Sequence, residues 1–209
     1  VPAREVFRFP GGLKDYLRAT IEGRDLLTAD IFAGRVEARD GPGAVEWAIA
    51  WTEDGDAFTR SYCNTIPTPE GGTHETGWRT ALLRGLRAYA DLTGASKKFK
   101  DVTSEDVMSG GVGLLSVFIR EPEFQGQTKE RLSSNEAARL VEQSIRDPFD
   151  HWLAGSPTQA RRLLEPDLGG GLHDVGGDQP LQTGADLGQA LLGRAALAGH
   201  EVGREPRQD

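Results

Sequence analysis

The sequence is poor in cysteine and has no long apolar runs. Cys63 is the single cysteine among 209 residues, so the chain cannot form an internal disulfide framework. No apolar stretch approaches the roughly 18 residues that span a membrane, and no segment resembles a signal peptide. These absences exclude a disulfide-stabilised secreted scaffold and an apolar membrane-spanning helix. We therefore expect a soluble, cytoplasmic protein with no membrane partner.

Basic charge is also scarce. The chain has 24 Lys and Arg residues against 32 Asp and Glu residues, which gives a formal net charge of −8. A protein that grips a DNA backbone over a broad surface needs clustered cations to neutralise the phosphates. Any DNA contact made by this chain should therefore be local. The one basic patch, Lys97, Lys98 and Lys100, is typical of a solvated loop.

Apolar patterns in the first part of the chain predict strands. Residues 31–37 and 57–64 are strand candidates, and residues 45–51 place Val and Trp on one face at period two. A continuous apolar run at 114–120 predicts a strand that is buried on both faces. Turn-forming residues at 53–56 predict that the second and third of these strands form a hairpin.

Apolar residues at helical spacing predict helices at 13–21 and from Trp78 to about residue 89, the latter after a loop at 66–77. A length of 209 residues suits one or two domains with a real core. The fold class that follows is α+β, with a mixed sheet and helices on one face, followed by C-terminal helices.

Capping signals predict the remaining helices. Thr103 and Asp106 form a capping-box pattern that begins a short helix ending near residue 109. Ser133 and Glu136 form a second such pattern, and Pro148 is expected to kink or end the helix that follows. Pro157 suits the first position of a further helix.

Residues 122–134, which read PEFQGQTKERLSS, form the candidate binding loop. An apolar strand ends at Arg120, and the loop then presents Gln127, Thr128 and Lys129. A lysine ammonium is a compact charge with three donors that suit a phosphate oxygen, and Gln and Thr can add neutral hydrogen bonds. The buried strand before the loop fixes the position of the residue from which the loop starts. Loop lysines are commonly just solvated, and the residue pattern by itself leaves that alternative open.

Two other reactive side chains are expected to have structural roles. His74 and Glu75 suggest a general base or a metal site, but no second His or carboxylate cluster at ligand spacing accompanies them. We expect His74 to bond to backbone or side-chain partners, and Cys63 to pack as a small apolar residue. The sequence therefore predicts no catalytic residue and no metal site in this chain.

Three segments together resemble the B subunit of bacterial type IIA topoisomerases. They read FRFPGGLKDYL at 7–17, SYCNTIPTPEGGTHETGWRTALLRGL at 61–86 and QTKERLSS at 127–134. The first and last resemble the topoisomerase IV branch of the family more than the gyrase branch. The resemblance covers about residues 6–164.

The resemblance implies a division of the chain and a role for the loop. Residues 1–132 would be the transducer domain, with a fold like domain 2 of ribosomal protein S5, and residues 133–165 would be helices leading toward the cleavage domain. Lys129 would contact the γ-phosphate of ATP in the neighbouring nucleotide site, with Gln127 beside it and Thr128 in the same loop. Loop position would then report nucleotide state.

The resemblance also implies what the whole enzyme does. It would use ATP and Mg²⁺ to pass one DNA duplex through another, as a B-subunit dimer joined to two A subunits. The water-activating Glu, the adenine and Mg²⁺ sites and the acidic metal site belong to other domains, and the cleaving Tyr belongs to the A subunit. Tyr16, Tyr62 and Tyr89 match none of these, so the chain alone is expected to be inactive.

Residues 166–209 resemble no part of the family. They are rich in Gly and contain no aromatic residue, so we expect disorder apart from one short helix at 185–197. The helical pattern is lost where the family continues one, which motivates the hypothesis of a shifted reading frame or a chimeric end. An uninterrupted, well-covered reading frame in the coding DNA would refute that hypothesis.

Two other function classes remain open at the level of sequence. One is a non-enzymatic S5-like nucleic-acid-binding module, which the acidic balance disfavours and salt-dependent binding to a duplex or RNA would support. The other is a protein-interaction domain whose loop lysine is only solvated. The second would be supported if nucleotide left the hydrogen-exchange protection of the loop unchanged in a protein restored to include the ATP-binding domain.

Overall fold

The computed structural model describes residues 8–38 and 43–164, so the tail predicted at 166–209 lies outside the described residues. The helices in this part are α1 (Leu13–Thr20), α2 (Thr73–Thr93), α3 (Ser96–Phe99), α4 (Ser104–Met108), α5 (Asn135–Gly155) and α6 (Pro157–Leu163). The strands are β1 (Phe32–Glu37), β2 (Gly43–Trp51), β3 (Phe58–Cys63), β4 (Ile66–Pro67), β5 (Gly111–Ile119), β6 (Phe124–Gln125) and β7 (Arg131–Leu132). Across the described ranges, none of the helices has the length and apolarity needed to cross a membrane.

Five strands form one mixed sheet in the order β1-β2-β5-β3-β4. β5 is central, antiparallel to β2 and parallel to β3, which confirms the α+β class and the mixed sheet. The predicted hairpin between β2 and β3 is wrong, because β5 lies between these two strands. β5 is apolar on both faces, and such a strand is best buried when it is paired along both edges.

The larger core lies on the face of the sheet that α2 and α5 cover. Its largest side chains are aromatic: Trp47 and Trp51 from β2, Trp78 from α2 and Phe149 from α5. Burying each stabilises the fold by about 1.5–3 kcal/mol. The predicted period-two face of β2 is therefore confirmed as a core face.

The opposite face is covered by α1, so the prediction of helices on one face only is wrong. Leu13 and Leu17 of α1 belong to a second core cluster, together with Ala48, Ala50 and Leu114 of the sheet. The small alanine side chains leave room for a helix to lie directly on the strands. The two core clusters thus differ in size, and the sheet's two tryptophans, Trp47 and Trp51, both belong to the larger one.

Helix α2 begins at Thr73, earlier than the predicted start at Trp78. The chain can turn into the helix here because Gly72 adopts a φ of 138°, which side-chain-bearing residues rarely reach. Glu75 lies in the first turn, where a negative charge interacts favourably with the helix dipole. Part of the predicted loop at 66–77 is therefore helix, and Ile66–Pro67 pairs with β3 as a short strand.

Helix α5 differs from its prediction at its start. The capping box of Ser133 and Glu136 does not form, because the N-cap is Ser134 and it makes no side-chain cap bond. The Ser134 hydroxyl accepts instead from the amide of Glu123 at 2.7 Å. The helix continues through Pro148, because Phe149 beyond it is buried in the core and holds the next turns in place. Of the two predicted outcomes at Pro148, an end is therefore wrong, and a kink stays a prediction.

The other capping predictions are confirmed. Thr103 Oγ1 accepts from the Asp106 amide at 3.3 Å, and Asp106 Oδ2 accepts from the Thr103 amide at 2.8 Å. Pro157 occupies the first turn of α6. Lys97 is exposed as expected but lies on the short helix α3, not on a loop.

Candidate functional site

The predicted binding loop contains a short hairpin. β6 and β7 pair antiparallel, with Phe124 opposite Leu132 and Gln125 opposite Arg131. Residues 126–130 form the tip, where Gly126 has a φ of 80° and Lys129 a φ of 58°. A left-handed conformation costs a residue with a side chain roughly 1–2 kcal/mol. The tip therefore holds its lysine in a defined and strained backbone geometry.

The three predicted site residues lie together on this tip. Gln127, Thr128 and Lys129 are all exposed. Within residues 8–38 and 43–164, no hydrogen bond or ion pair engages the Lys129 ammonium. An ammonium without a protein partner keeps three donors for an anion from outside. Contact between these residues and a nucleotide stays a prediction.

The base of the hairpin is anchored in the core through Leu132. Leu132 is only 1% exposed and belongs to the larger core, against which Phe124 also packs. The Ser133 amide donates to the Glu123 carbonyl at 2.8 Å, which extends the hairpin toward its base. The exposed tip is therefore carried by a base that packing and hydrogen bonds hold in place.

A second segment, the turn at residues 70–72, is bonded along the hairpin. The Glu70 amide donates to the Glu130 carbonyl at 3.0 Å, and the Leu132 amide donates to the Gly71 carbonyl at 3.0 Å. Arg131 Nη1 donates to the Glu70 carbonyl at 3.2 Å. We call residues 70–72 the glycine turn. It connects the loop directly to the start of α2.

A buried polar cluster lies beneath the glycine turn. Ser61 Oγ donates to Glu75 Oε1 at 2.6 Å and shares a hydrogen bond of 2.7 Å with Thr68 Oγ1. Thr68 Oγ1 also lies 3.1 Å from His74 Nε2, and Arg79 Nη2 donates to Glu75 Oε2 at 2.9 Å. The prediction that His74 bonds to neighbouring groups is thus confirmed. We call Ser61, Thr68, His74 and Glu75 the polar cluster.

His74 is neutral in this setting. Burial lowers the pKa of its imidazole to about 4, and the positive charge of Arg79 acts in the same direction. The ring is 0% exposed, and among the described residues its Nδ1 has no hydrogen-bond partner. A ring that is sealed from solvent cannot exchange protons with a substrate. Its role here is structural.

The other candidates for chemistry are also inert. Cys63 is fully buried in the larger core, and burial raises the pKa of its thiol to about 12, so the reactive thiolate is scarce. Its predicted packing role is confirmed. In the described part of the chain, no group of three or more His, Cys, Asp or Glu side chains could hold a metal ion.

Sequence reasoning missed the contact between the loop and the glycine turn. The two segments are far apart in sequence, and the hydrogen bonds between them are mostly backbone to backbone. No pattern of side chains therefore predicts this contact. The adjacent glycines Gly71 and Gly72 were the available signal, because paired glycines mark a turn or a close backbone approach.

Comparisons with known proteins agree on the family. The family model described as DNA gyrase B matches residues 12–167. The B subunit of DNA topoisomerase 4 from Bartonella bacilliformis is 58% identical over 164 residues, which is 78% of this chain and 23% of that protein. The corresponding protein of Caulobacter vibrioides is 54% identical over 168 residues, covering 78% of this chain and 24% of that protein. The chain thus spans about a quarter of the length of these relatives.

A solved structure gives the same result. The topoisomerase IV ATP-binding domain of Francisella tularensis, solved with a small-molecule inhibitor, has a TM-score of 0.65 to this chain at 31% identity. The match covers 77% of this chain and 42% of that one. The chain therefore belongs to the DNA gyrase B family of type IIA topoisomerase B subunits, and the B subunits of topoisomerase IV are among its relatives.

Proposed function

We propose that this chain is the part of a topoisomerase IV-type B subunit that senses the nucleotide, and that Lys129 does so by contacting the γ-phosphate of ATP. The observation that carries the proposal is the exposed Lys129 ammonium at the tip of a hairpin with a buried base. Family membership supports it, because the relatives are topoisomerase subunits. The family match does not favour the nucleic-acid-binding or protein-interaction alternatives.

The chemistry required of the loop is the binding of a phosphate. Lys129 would donate from its ammonium to γ-phosphate oxygens, while Gln127 and Thr128 would add neutral hydrogen bonds. The attraction strengthens where water is excluded and weakens once the phosphate leaves. The hairpin would then approach the neighbouring nucleotide site while ATP is bound and be released after hydrolysis, which is a two-state signal.

The described residues of the chain suit a phosphate ligand but not a metal ion. The Lys129 ammonium is available to an anion, whereas the described residues offer no group of three or more metal ligands. Lys129 would therefore meet the ATP phosphate directly, and the Mg²⁺ that accompanies ATP would be held by residues other than those described. The nucleotide is the reacting substrate, and this chain supplies orientation and charge.

Family membership also supports a wider proposal for the whole chain and its enzyme. Residues 1–132 would form the S5-like transducer domain, and residues 133–165 would lead toward the cleavage domain. The whole enzyme would pass one DNA duplex through another in the cytoplasm, as a B-subunit dimer with A-subunit partners. The net charge of −8 suits a relay that makes only local DNA contacts.

The test is ATP hydrolysis by a fusion protein in which a topoisomerase IV ATP-binding domain is joined ahead of Val1. Lys129→Ala should lower turnover on the order of 10²-fold, the scale for losing one preorganised charge-stabilising donor. Gln127→Ala should have a smaller effect, because it removes a neutral hydrogen bond.

The matched control is Lys97→Ala, which removes an exposed lysine from the short helix α3. It should leave turnover unchanged, because Lys97 is not part of the loop. Turnover by Lys129→Ala within about a factor of two of the unmodified fusion would refute the proposed role, since it would leave almost none of the expected loss.

A further inference from the structure

We propose that the glycine turn is the positioning element for Lys129, with Gly72 as the positioning residue on which it depends. The inference rests on the proposed contact between Lys129 and the γ-phosphate. It goes further because it assigns the placement of the lysine to a segment that is far away in the sequence and has no basic side chain of its own.

The glycine turn and the loop are joined by backbone bonds on both sides of Arg131. The Glu70 amide donates to the carbonyl of Glu130, the residue next to Lys129, at 3.0 Å. The Leu132 amide donates to the Gly71 carbonyl at 3.0 Å, and Gly72 and Leu132 form a parallel β-bridge. The chain leaving the tip is therefore fixed within one residue of the lysine.

Gly72 allows this close approach because it has no side chain. A Cβ at this position would lie 2.6 Å from the Leu132 amide nitrogen and 2.8 Å from its carbonyl carbon. These are backbone atoms, so no side-chain rotation relieves the collision. The φ of 138° is in addition one that residues with side chains rarely adopt. Any larger residue would push β7, and with it the tip, away from α2.

Hydrogen bonds hold the glycine turn in place, so it can serve as a reference point for the tip. The Gly71 amide donates to the Thr68 carbonyl at 2.8 Å, and the Thr68 hydroxyl is held by the buried polar cluster. Thr73 Oγ1, at the start of α2, donates to the Ser134 carbonyl at 2.7 Å. The start of α2 therefore contacts the hairpin and also the N-cap of α5. A displacement of the lysine by about 1 Å can cost on the order of 10²-fold in rate, so small shifts of this base matter.

The experiment measures ATP turnover by the fusion protein carrying Gly72→Ala, with Gly23→Ala as the matched control. Gly23 also has a positive φ, 81°, but a Cβ there would meet nothing within 4 Å. Gly72→Ala should lower kcat by at least about tenfold and change the KM for ATP by much less, because the loop acts on the phosphate and the rest of the nucleotide is bound elsewhere. Gly23→Ala should change neither.

A double-mutant cycle distinguishes positioning from a general structural effect. In the Lys129→Ala background, Gly72→Ala should cost less than about a further twofold, because the group that it positions is already absent. Full additivity, or turnover by folded Gly72→Ala within about twofold of the unmodified fusion, would overturn the inference.

Hydrogen exchange separates failure of this inference from failure of the proposed function. If Lys129→Ala turns over normally, the proposed function is wrong, and the positioning claim is then decided by the Leu132 amide. Its exchange should be faster by at least about tenfold in Gly72→Ala and unchanged in Gly23→Ala. Unchanged exchange in both variants would refute the positioning role independently of catalysis.

Arg131→Ala provides the test if Gly72→Ala does not fold. Arg131 is exposed, and its Nη1 donates to the Glu70 carbonyl at 3.2 Å, so its removal loosens the same contact without disturbing the core. We expect kcat to fall by about threefold, the scale of one modest hydrogen bond, and the loss to vanish in the Lys129→Ala background. Normal turnover by this variant would contradict the inference.

Discussion

The tip of the hairpin and the polar cluster beneath the glycine turn differ in almost every physical respect. The tip is exposed and holds a single cation without a protein partner in the described residues, whereas the polar cluster is buried and its members bond to one another. The tip can change without disturbing the core, and the polar cluster cannot. The difference indicates a division of labour, in which the proposed chemistry is placed at the tip and the position of the tip is set from the base.

The largest effect expected to sharpen this comparison is a loss of folding stability at low pH that arises from the polar cluster. The pKa of His74 in the folded protein, about 4, lies below its ordinary value of 6.5. Below pH 6.5 the His74 imidazole binds a proton in the unfolded chain but stays neutral in the folded protein. The contribution of the neutral ring to the free energy of unfolding is therefore fully present above pH 6.5 and is lost as the pH falls toward 4. The loss should be about 3 kcal/mol.

Urea unfolding at pH 7 and pH 4 measures this loss, and His74→Gln is the comparison. Other carboxylates titrate in the same range, so the informative quantity is the difference between the two proteins. The unmodified chain should lose about 3 kcal/mol more than His74→Gln over this interval. Equal losses would show that the ring is not held neutral beside Arg79 and Glu75.

A smaller effect is expected from Thr68→Val, which removes the hydroxyl shared by Ser61 and His74. The substitution keeps the shape of the side chain but leaves His74 Nε2 buried without that partner, which should cost about 1–3 kcal/mol. Thermal or urea unfolding measures the change. Thr68→Ser retains the hydroxyl and should lose less, about 0.8 kcal/mol for the missing methyl group.

The same substitution at the tip is the matched control. Thr128→Val changes an exposed side chain and should alter the free energy of unfolding by no more than about 0.5 kcal/mol. If Thr128→Val cost as much as Thr68→Val, the distinction between tip and base would not hold.

Much of the fold followed from local sequence patterns. The alternation in β2, the apolar run of β5 and the capping box of α4 are local signals, and each was confirmed. The pairing of strands was not predictable in the same way. A turn between two strands favours a hairpin, but β5 intervenes because a strand that is apolar on both faces is best buried at the centre of the sheet.

The site shows the same limit. Gln127, Thr128 and Lys129 were predicted as site residues from the loop pattern and the family resemblance together, and the structure places them on one exposed tip. The contact with the glycine turn was not predicted, since backbone bonds between distant segments leave no side-chain signature. The prediction for the start of α5 failed for a related reason: the Ser133 amide, which a capping box would pair with Glu136, donates to the Glu123 carbonyl across the hairpin, and the N-cap is Ser134. Local capping rules do not include such tertiary competitors.

The last prediction concerns Lys129 itself and tests whether the tip carries backbone strain. Lys129 has a φ of 58°, which costs a residue with a Cβ roughly 1–2 kcal/mol and costs Gly nothing. Lys129→Ala should change the free energy of unfolding by no more than about 0.5 kcal/mol, because the side chain is exposed. Lys129→Gly should be at least as stable as Lys129→Ala, and by up to about 1 kcal/mol more stable, because relief of strain offsets the greater freedom of Gly in the unfolded chain. Chemical denaturation of the two variants measures the difference. If the Ala variant were clearly the more stable, Lys129 would not hold a left-handed conformation in solution, and the tip would be a flexible segment whose lysine is placed by the nucleotide and not by the protein.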